Sequence, residues 1–255
     1  MTERIIDRGG SFEFFTNYCE EIGNVQPELY DEIRRVIDIA LQSFTSENDR
    51  KPVVLDVGAA GLLPYDTDLA ERVVILDLFP KPKKISLRNN VEWIVGDILS
   101  QKVDEVLLGR MGEEGYDIVV MSSLLHHLCD KNNNALKNLE TCFRNVKKIL
   151  AKDGTMYIFE STCSTLVAKL EDFFYPVYNQ ILTKVMKFTC VRMLSVKELM
   201  ECLERTGFSA SILNFKEPEY IAQMYWKVPI KYYPLKISAI SAKKAKTTSN
   251  NSDGN

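Results

Sequence analysis

The first apolar run of the chain contains an acid, and a turn of small residues follows it at once. Asp56 lies in the run 53–57, and Gly58, Ala59 and Gly61 belong to the turn. A short apolar run bounded by a turn predicts a buried parallel strand. Small residues let the backbone approach a ligand closely, and ligands of open parallel sheets bind at the carboxyl ends of the strands. The stretch therefore predicts a site for a nucleotide-like cofactor.

Two further acids follow the next two predicted strands, 73–76 and 91–95. Asp77 comes about 20 residues after the turn, where a carboxylate can accept hydrogen bonds from both hydroxyls of a ribose. Asp97 could accept a hydrogen bond from an exocyclic amine such as that of adenine, while Ile98 packs on the ring. Each acid also has a simpler interpretation. Asp77 could be a solvated acid at a strand end, and a Gly-Asp pair is typical of a turn and a helix N-cap.

Two hydroxyl residues and then both histidines of the chain follow the fourth predicted strand, 117–121. They are Ser122, Ser123, His126 and His127. Histidine titrates near neutral pH and can act as a general base. Adjacent side chains point in different directions, so we expect at most one histidine to face a substrate; the resemblance described below puts His127 ahead of His126. The alternative is that a histidine caps the next helix or packs against it.

The remaining patterns predict the elements that position these residues. Helical spacing begins at Pro27, and a further strand is predicted at 155–159. Helices are predicted at 134–151 and at 195–206, the second opened by a capping box, and an apolar insert covers 166–188. Residues 208–215 and 220–228 are predicted to pair as two closing strands, and two prolines in 79–84 predict a loop. This alternation predicts an α/β fold with a parallel sheet.

Composition indicates a soluble domain with a full core. The chain has 255 residues, of which 45% are hydrophobic and 26% charged, and its net charge of -3 disfavours a general attraction to nucleic acid. No apolar run is long enough to span a bilayer, and no signal core follows the N-terminus, so we expect no membrane partner. Six cysteines without a C-x-x-C pair argue against a metal site and suit a reducing, cytoplasmic location. The lysine-rich residues 236–255 are expected to form a basic, disordered tail.

Taken together, the motifs resemble the class I S-adenosylmethionine-dependent methyltransferases from about residue 52 to 207. They are the first strand with its turn, Asp77, Gly96-Asp97, residues 117–128, and Lys152-Asp153-Gly154-Thr155. The resemblance implies a Rossmann-like, seven-stranded sheet with helices on both faces and an antiparallel terminal hairpin. It also implies an N-terminal helical lid at 1–46, a core at 47–235 with a helical insert at about 163–190, and the tail after it.

The resemblance further implies S-adenosylmethionine as the cofactor and no metal. The first turn would line its methionine part, Asp77 would bind ribose, Asp97 and Ile98 would meet adenine, and Ser122 or Ser123 would lie near the sulfonium. The cofactor site implied as a whole consists of Asp56, Gly58, Ala59, Gly61, Asp77, Leu78, Asp97, Ile98, Ser122 and Ser123.

The function implied is methyl transfer to the oxygen or nitrogen of a small-molecule acceptor. The aromatic content of the insert 166–188 favours an apolar or aromatic acceptor, and the alternative is that those rings pack together as core. Some members that methylate small amines place a histidine near His127 and pair it with a tyrosine from an N-terminal helix, for which Tyr18 is the counterpart here. Two alternatives stay open. One is a methyltransferase of RNA or protein, and the other is an inactive cofactor-binding scaffold, because Ala60 and Leu62 stand where the family turn carries glycine. The sequence leaves the oligomeric state open.

Overall fold

The computed structural model describes residues 27–59, 62–111, 114–130, 132–181, 191–216 and 235–246. Within these residues the helices are α1 (Pro27–Asn48), α2 (Val103–Met111), α3 (Ala135–Ile149), α4 (Thr165–Gln180) and α5 (Val196–Arg205). The strands are β1 (Val53–Val57), β2 (Arg72–Asp77), β3 (Val91–Val95), β4 (Tyr116–Ser122), β5 (Leu150–Cys163), β6 (Leu194–Ser195), β7 (Phe208–Ile212) and β8 (Leu235–Lys244). None of the described helices combines the length and the apolar character needed to cross a bilayer.

The sheet has the strand order β3-β2-β1-β4-β5-β8-β7, and the short β6 pairs with β5 outside this path. Strands β1 to β5 are parallel, and β8 runs antiparallel to both of its neighbours, β5 and β7. This confirms the predicted seven-stranded path with one antiparallel strand near its end, to which β6 adds a two-residue extension. Because β1 to β5 are parallel, their carboxyl ends meet at one edge of the sheet.

The last strand lies later in the chain than the sequence pattern predicts. The predicted strand at 220–228 falls outside the described residues, whereas residues 235–244 form β8. The prediction of a disordered tail from residue 236 is therefore wrong as far as residue 244. Small apolar residues alternate in β8 and are buried on both faces of the sheet, as Ile237 and Ala239 on one face and Ile240 and Ala242 on the other show.

Lysines in this strand explain why its sequence pattern resembles a solvated tail. Their ammonium groups can extend beyond the strand while the stems lie along it. At the far end of β8, the Nζ atom of Lys244 donates a hydrogen bond to the carbonyl oxygen of Leu150, over 2.6 Å. A lysine-rich composition is therefore compatible with a strand in the middle of a sheet.

Each face of the sheet carries its own apolar core. Neighbouring residues of β1 point to opposite faces, so Val54 packs with Ile33 and Ile37 of α1 while Leu55 packs in the other core. The second core receives α2, α3 and α5, with Phe143 as one of its largest fully buried side chains. Burial on both faces explains the nearly continuous apolar character of these strands.

The face that carries α1 has few other helical elements in the described part of the chain. Between β1 and β2 the described residues form only a 3-10 turn, Thr67–Leu69, and an irregular loop joins β2 to β3. Pro80 and Pro82 lie in that loop, which confirms the prediction from the prolines. Among the described residues, helix α1 is therefore the main cover of the sheet on this side.

Gly115 is expected to be indispensable for the start of β4. Its φ is +75°, and a Cβ atom there would lie 2.6 Å from the carbonyl oxygen of Ile149. Gly115→Ala should therefore lower the free energy of unfolding by about 1–3 kcal/mol, from backbone strain and a backbone clash. The matched control is Gly109→Ala inside α2, where a Cβ atom meets nothing within 4 Å. This control should stabilise the protein by about 0.5–1 kcal/mol. Urea unfolding measures the free energy of unfolding of both variants, and an equal change in the two would contradict a special need for glycine at position 115.

Candidate active site

Three buried acids mark the carboxyl edge of the sheet. Asp56 lies in β1, Asp77 ends β2, and Asp97 follows β3, and their exposed fractions are 1%, 4% and 7%. The parallel pairing of the three strands, with Asp77 opposite Val95, brings these carboxyl groups to one edge. The structure thus gathers the acids as the sequence predicts, while their roles stay predictions.

The carboxyl group of Asp56 is only partly satisfied by the protein. The Tyr65 hydroxyl donates a hydrogen bond to Asp56 Oδ2 over 2.9 Å, and Oδ1 is buried without a hydrogen-bond partner. Burial raises the pKa of Asp56 to about 7; the Tyr65 hydrogen bond opposes this rise and the charge of Asp77 adds to it. A buried carboxyl oxygen without a partner is costly, so it indicates a place where a ligand atom can bind.

The turn after β1 depends on glycine at its first position. Gly58 has a φ of +73°, and a Cβ atom there would lie 2.7 Å from a methyl group of Leu124. Its N–H donates to the carbonyl oxygen of Leu76 over 2.8 Å, which fixes the turn against β2. Ala59 is buried, and Leu62 donates from its N–H to the Ala59 carbonyl oxygen over 2.8 Å. The other two residues of the turn, 60 and 61, lie outside the described residues.

The acids after β2 and β3 both accept hydrogen bonds from the backbone. Asp77 Oδ1 accepts from the N–H of Phe79 over 3.0 Å, and Asp97 Oδ1 accepts from the N–H of Leu99 over 2.9 Å. The second contact agrees with the turn-forming role considered for the Gly-Asp pair. A pocket of about 310 Å³ lies at the end of β3, and its lining includes Leu78 and Asp97 but not Asp77. Ile98 is buried in the adjoining core.

The end of β4 has an unusual backbone. Ser123 has a φ of +50°, a conformation that side chains other than glycine adopt only at a cost, and its N–H donates to the Phe159 carbonyl oxygen over 2.8 Å. Ser122 and Ser123 are both partly exposed at the carboxyl edge, and the 3-10 turn Leu125–His127 follows. The strained residue places this turn directly above the ends of β4 and β5.

His126 forms a close pair with a carboxylate that the sequence analysis missed. Its Nδ1 atom lies 2.5 Å from Oε1 of Glu160, whose side chain is fully buried near the end of β5. Glu160 also accepts from the backbone N–H of Leu125 over 2.6 Å and from that of Ser161 over 2.8 Å. Because both other contacts are donors to Glu160, the hydrogen of the histidine is assigned to Nδ1, which leaves Nε2 able to accept a proton. An acid at the end of the apolar run 156–160 was the available sequence signal.

His127 lies beside this pair. The ring centroids of His126 and His127 are 4.0 Å apart, and the His127 side chain is partly exposed whereas that of His126 is buried. The preference for His127 as a base stays a prediction from sequence, and so does its pairing with Tyr18, which lies outside the described residues.

Helix α4 covers part of this edge but turns two of its rings to solvent. Phe173 and Phe174 form an edge-to-face pair, and they are 78% and 56% exposed. Tyr175 points inward instead: it is 2% exposed, and its hydroxyl donates to the carbonyl oxygen of Asp130 over 2.8 Å. The rings at 173 and 174 therefore neither pack in the core nor supply evidence for an aromatic acceptor.

Comparisons with known proteins agree with this geometry at the level of the fold. Neither protein-family models nor curated proteins give a match. Among solved structures, DhpI in complex with SAH is 16% identical with a TM-score of 0.52, and the match covers 94% of this chain and 97% of DhpI. Human N-acetylserotonin methyltransferase in complex with SAM is 13% identical with a TM-score of 0.53, covering 92% of this chain and 57% of the enzyme. The [4+2]-cyclase SpnF is 14% identical with a TM-score of 0.50, and the match covers 82% of this chain and 80% of SpnF.

These likenesses define the fold class of the chain. It has the fold of the class I S-adenosylmethionine-dependent methyltransferases. The chain spans little more than half of the human methyltransferase, and the likeness to a cyclase shows that this fold also occurs in proteins named for other reactions. The reaction must therefore be argued from the site.

Asp56 should make the stability of the protein depend on pH. In the folded protein this carboxyl keeps its proton up to about pH 7, whereas its ordinary pKa is 3.8. Between these values the folded state binds more protons than the unfolded state, so stability is present at low pH and is lost as pH rises toward 7. Asp56→Asn cannot titrate and should show a smaller fall in Tm between pH 5 and pH 8 than the wild type. Glu171, whose pKa burial also raises to about 7, should keep part of the fall.

The control for this prediction is Asp31→Asn, because Asp31 has a largely exposed side chain on α1. Its Tm should fall in parallel with that of the wild type. If the Tm of Asp56→Asn also fell in parallel with that of the wild type, the buried and uncharged state of Asp56 would be ruled out.

Proposed function

We propose that the protein binds S-adenosylmethionine at the carboxyl edge of its sheet and transfers the methyl group to an oxygen or nitrogen of a small-molecule acceptor. The observation that carries this proposal is the pair of His126 and Glu160, with 2.5 Å between Nδ1 and Oε1. It lies at the same edge as three buried acids that suit a nucleoside and an amino acid group. A proton acceptor beside a cofactor edge is the arrangement that this transfer needs when the nucleophile must lose a proton.

The residues at the edge fit the cofactor. Gly58 gives the backbone the conformation for a close approach, and the Asp56 Oδ1 atom without a partner suits a positively charged ammonium group. Asp77 at the end of β2 would accept hydrogen bonds from the ribose hydroxyls, and Asp97 with Leu78 lines the pocket proposed for adenine. S-adenosylmethionine supplies, when bound, a methyl group on a positively charged sulfur that a nucleophile displaces in line.

The protein contributes a fixed proton acceptor to this reaction. Glu160 holds the imidazole of His126 through Nδ1, so Nε2 is the atom that would take the proton from a hydroxyl, phenol or ammonium group. The carboxylate also stabilises the imidazolium that forms. Because the backbone of Leu125 and Ser161 holds Glu160 in turn, the histidine keeps its orientation without an acceptor present.

The two alternatives differ in their support. A methyltransferase of nucleic acid loses part of its basis, because Lys236, Lys243 and Lys244 belong to β8 rather than to a basic tail. The inactive scaffold keeps its basis in the sequence of the first turn, where Leu62 stands in place of a family glycine. Binding of the cofactor and methyl transfer therefore need separate tests.

Asp77→Asn should weaken binding of S-adenosylhomocysteine, measured by calorimetry. Hydrogen bonds to a charged group contribute about 1.5–3 kcal/mol, which corresponds to about 10- to 150-fold in Kd. The control is Glu71→Gln, because Glu71 is an exposed residue just before β2, at the opposite edge of the sheet. This variant should bind S-adenosylhomocysteine with the Kd of the wild type. Equal affinities of Asp77→Asn and the wild type would remove the ribose assignment.

His126→Asn should remove the proposed proton acceptor while keeping the hydrogen bond to Glu160. Asparagine can still donate to Glu160 from a position near that of Nδ1, but it offers nothing in place of Nε2. The rate of methyl transfer, followed as S-adenosylhomocysteine release with a panel of phenols and amines, should fall by at least about 100-fold. The affinity for S-adenosylhomocysteine should stay unchanged. His127→Asn is the matched variant and should keep a rate near that of the wild type; the reverse order of the two variants would make His127 the base.

A further inference from the structure

Two charged side chains near His126 each keep one buried atom without a hydrogen-bond partner. They are Arg192, whose Nη1 has none, and Glu171, whose Oε1 has none. Arg192 is 1% exposed, so bulk water does not reach its Nη1 donor. Leaving such a buried group unpaired is costly, and sites that bind ligands are where proteins bear this cost.

The guanidinium of Arg192 is held rigidly on its other side. Nε and Nη2 donate to the two carboxylate oxygens of Asp172 in α4 over 2.7 and 2.8 Å, and Nη2 also donates to Oε1 of Glu198 over 2.6 Å. The backbone N–H of Arg192 donates to the carbonyl oxygen of His126 over 3.0 Å. The position of Nη1 is therefore fixed relative to the proposed base.

Glu171 belongs to the same layer, between α4 and residues 191–193. Its Oε2 accepts from the backbone N–H of Met193 over 3.0 Å, and it precedes Asp172 in α4. Burial raises the pKa of Glu171 to about 7, and the charges of Arg192 and His126 act against this rise. Its Oε1 is thus a buried hydrogen-bonding atom within electrostatic range of both Arg192 and His126.

We propose that Arg192 and Glu171 recognise the methyl acceptor, and that the acceptor carries an uncharged amide-type group. Its carbonyl oxygen would accept from Nη1 of Arg192, and its N–H would donate to Oε1 of Glu171. This deepens the proposed function and rests on it, since the acceptor lies beside His126 only if methyl transfer occurs there.

Charge argues for an amide over an anion. Arg192 already has two carboxylate partners, Asp172 and Glu198, so its single positive charge is more than balanced. A carboxylate acceptor would add a further anion to a buried layer that also contains Glu160 and, above about pH 7, the ionised Glu171, where repulsion is weakly screened. The site should therefore reject an acid and accept the amide of the same shape.

A matched pair of probes tests this discrimination. 3-Hydroxybenzamide and 3-hydroxybenzoate have the same ring and phenol, and they differ only in the amide or carboxylate. Calorimetry at pH 8, where Glu171 is ionised, on the full chain loaded with S-adenosylhomocysteine should give a Kd for the amide at least about tenfold below that for the acid, the size expected from one or two buried hydrogen bonds.

Glu171→Gln should change the ratio of the two affinities. Glutamine keeps an oxygen for the Met193 N–H, removes the negative charge and places an amide nitrogen where Oε1 lies. The amide probe should bind more weakly and the acid more tightly, so that the ratio falls below about threefold, while the affinity for S-adenosylhomocysteine does not change. Glu201→Gln, an exposed residue of α5, is the control and should keep the ratio of the wild type. A purely structural role of Glu171 would not shift the affinities for the two probes in opposite directions.

Equal affinities of the two probes for the wild type, failure of both to bind, or an unchanged ratio in Glu171→Gln would each overturn the amide proposal. S-adenosylhomocysteine is titrated first, so that failure of the amide proposal can be distinguished from failure of the proposed function. Cofactor binding without discrimination overturns the amide proposal alone, whereas no cofactor binding overturns the proposed function. In that event the probes are titrated against the unloaded protein, and the same criteria decide the amide proposal.

Discussion

The burial of carboxyl groups at one edge of the sheet is the constraint on which the site depends. Asp56 lies in β1, Asp77 ends β2, Asp97 follows β3, and Glu160 lies fully buried near the end of β5. A buried carboxylate is stable only with donors around it, and the protein supplies them from a tyrosine hydroxyl, backbone N–H groups and His126. Where it supplies none, as at Asp56 Oδ1, the geometry leaves a place for a ligand.

The rest of the fold holds this edge in position. Arg50 pairs with Asp117 through both carboxylate oxygens at 2.7 Å, and the same acid accepts from the Val53 N–H, so β1 and β4 start in a fixed register. At the far side, β8 lies between β5 and β7 and keeps β5 inside the sheet. Glu160 near the end of β5 and His126 after β4 therefore meet because their strands are adjacent.

Local signals in the sequence were sufficient for the parallel strands, the loop at 79–84 and the capping box of Ser195 and Glu198, which the structure confirms. These depend on residues close together in the chain, where periodicity and turn chemistry act. The partners of the site depend on distant residues instead. Glu160 is 34 positions from His126, and Arg192 gains its role from Asp172 and Glu198. Strand β8 was missed for a similar reason, because its lysines indicate solvent until the neighbouring strands are known.

A crystal structure of the protein with S-adenosylhomocysteine tests the central claim most directly. We expect the ribose hydroxyls within hydrogen-bond distance of Asp77, the ammonium group toward Asp56, and the sulfur on the side of His126. Placement of the ligand away from this edge, or the absence of bound ligand at millimolar concentration, would contradict it.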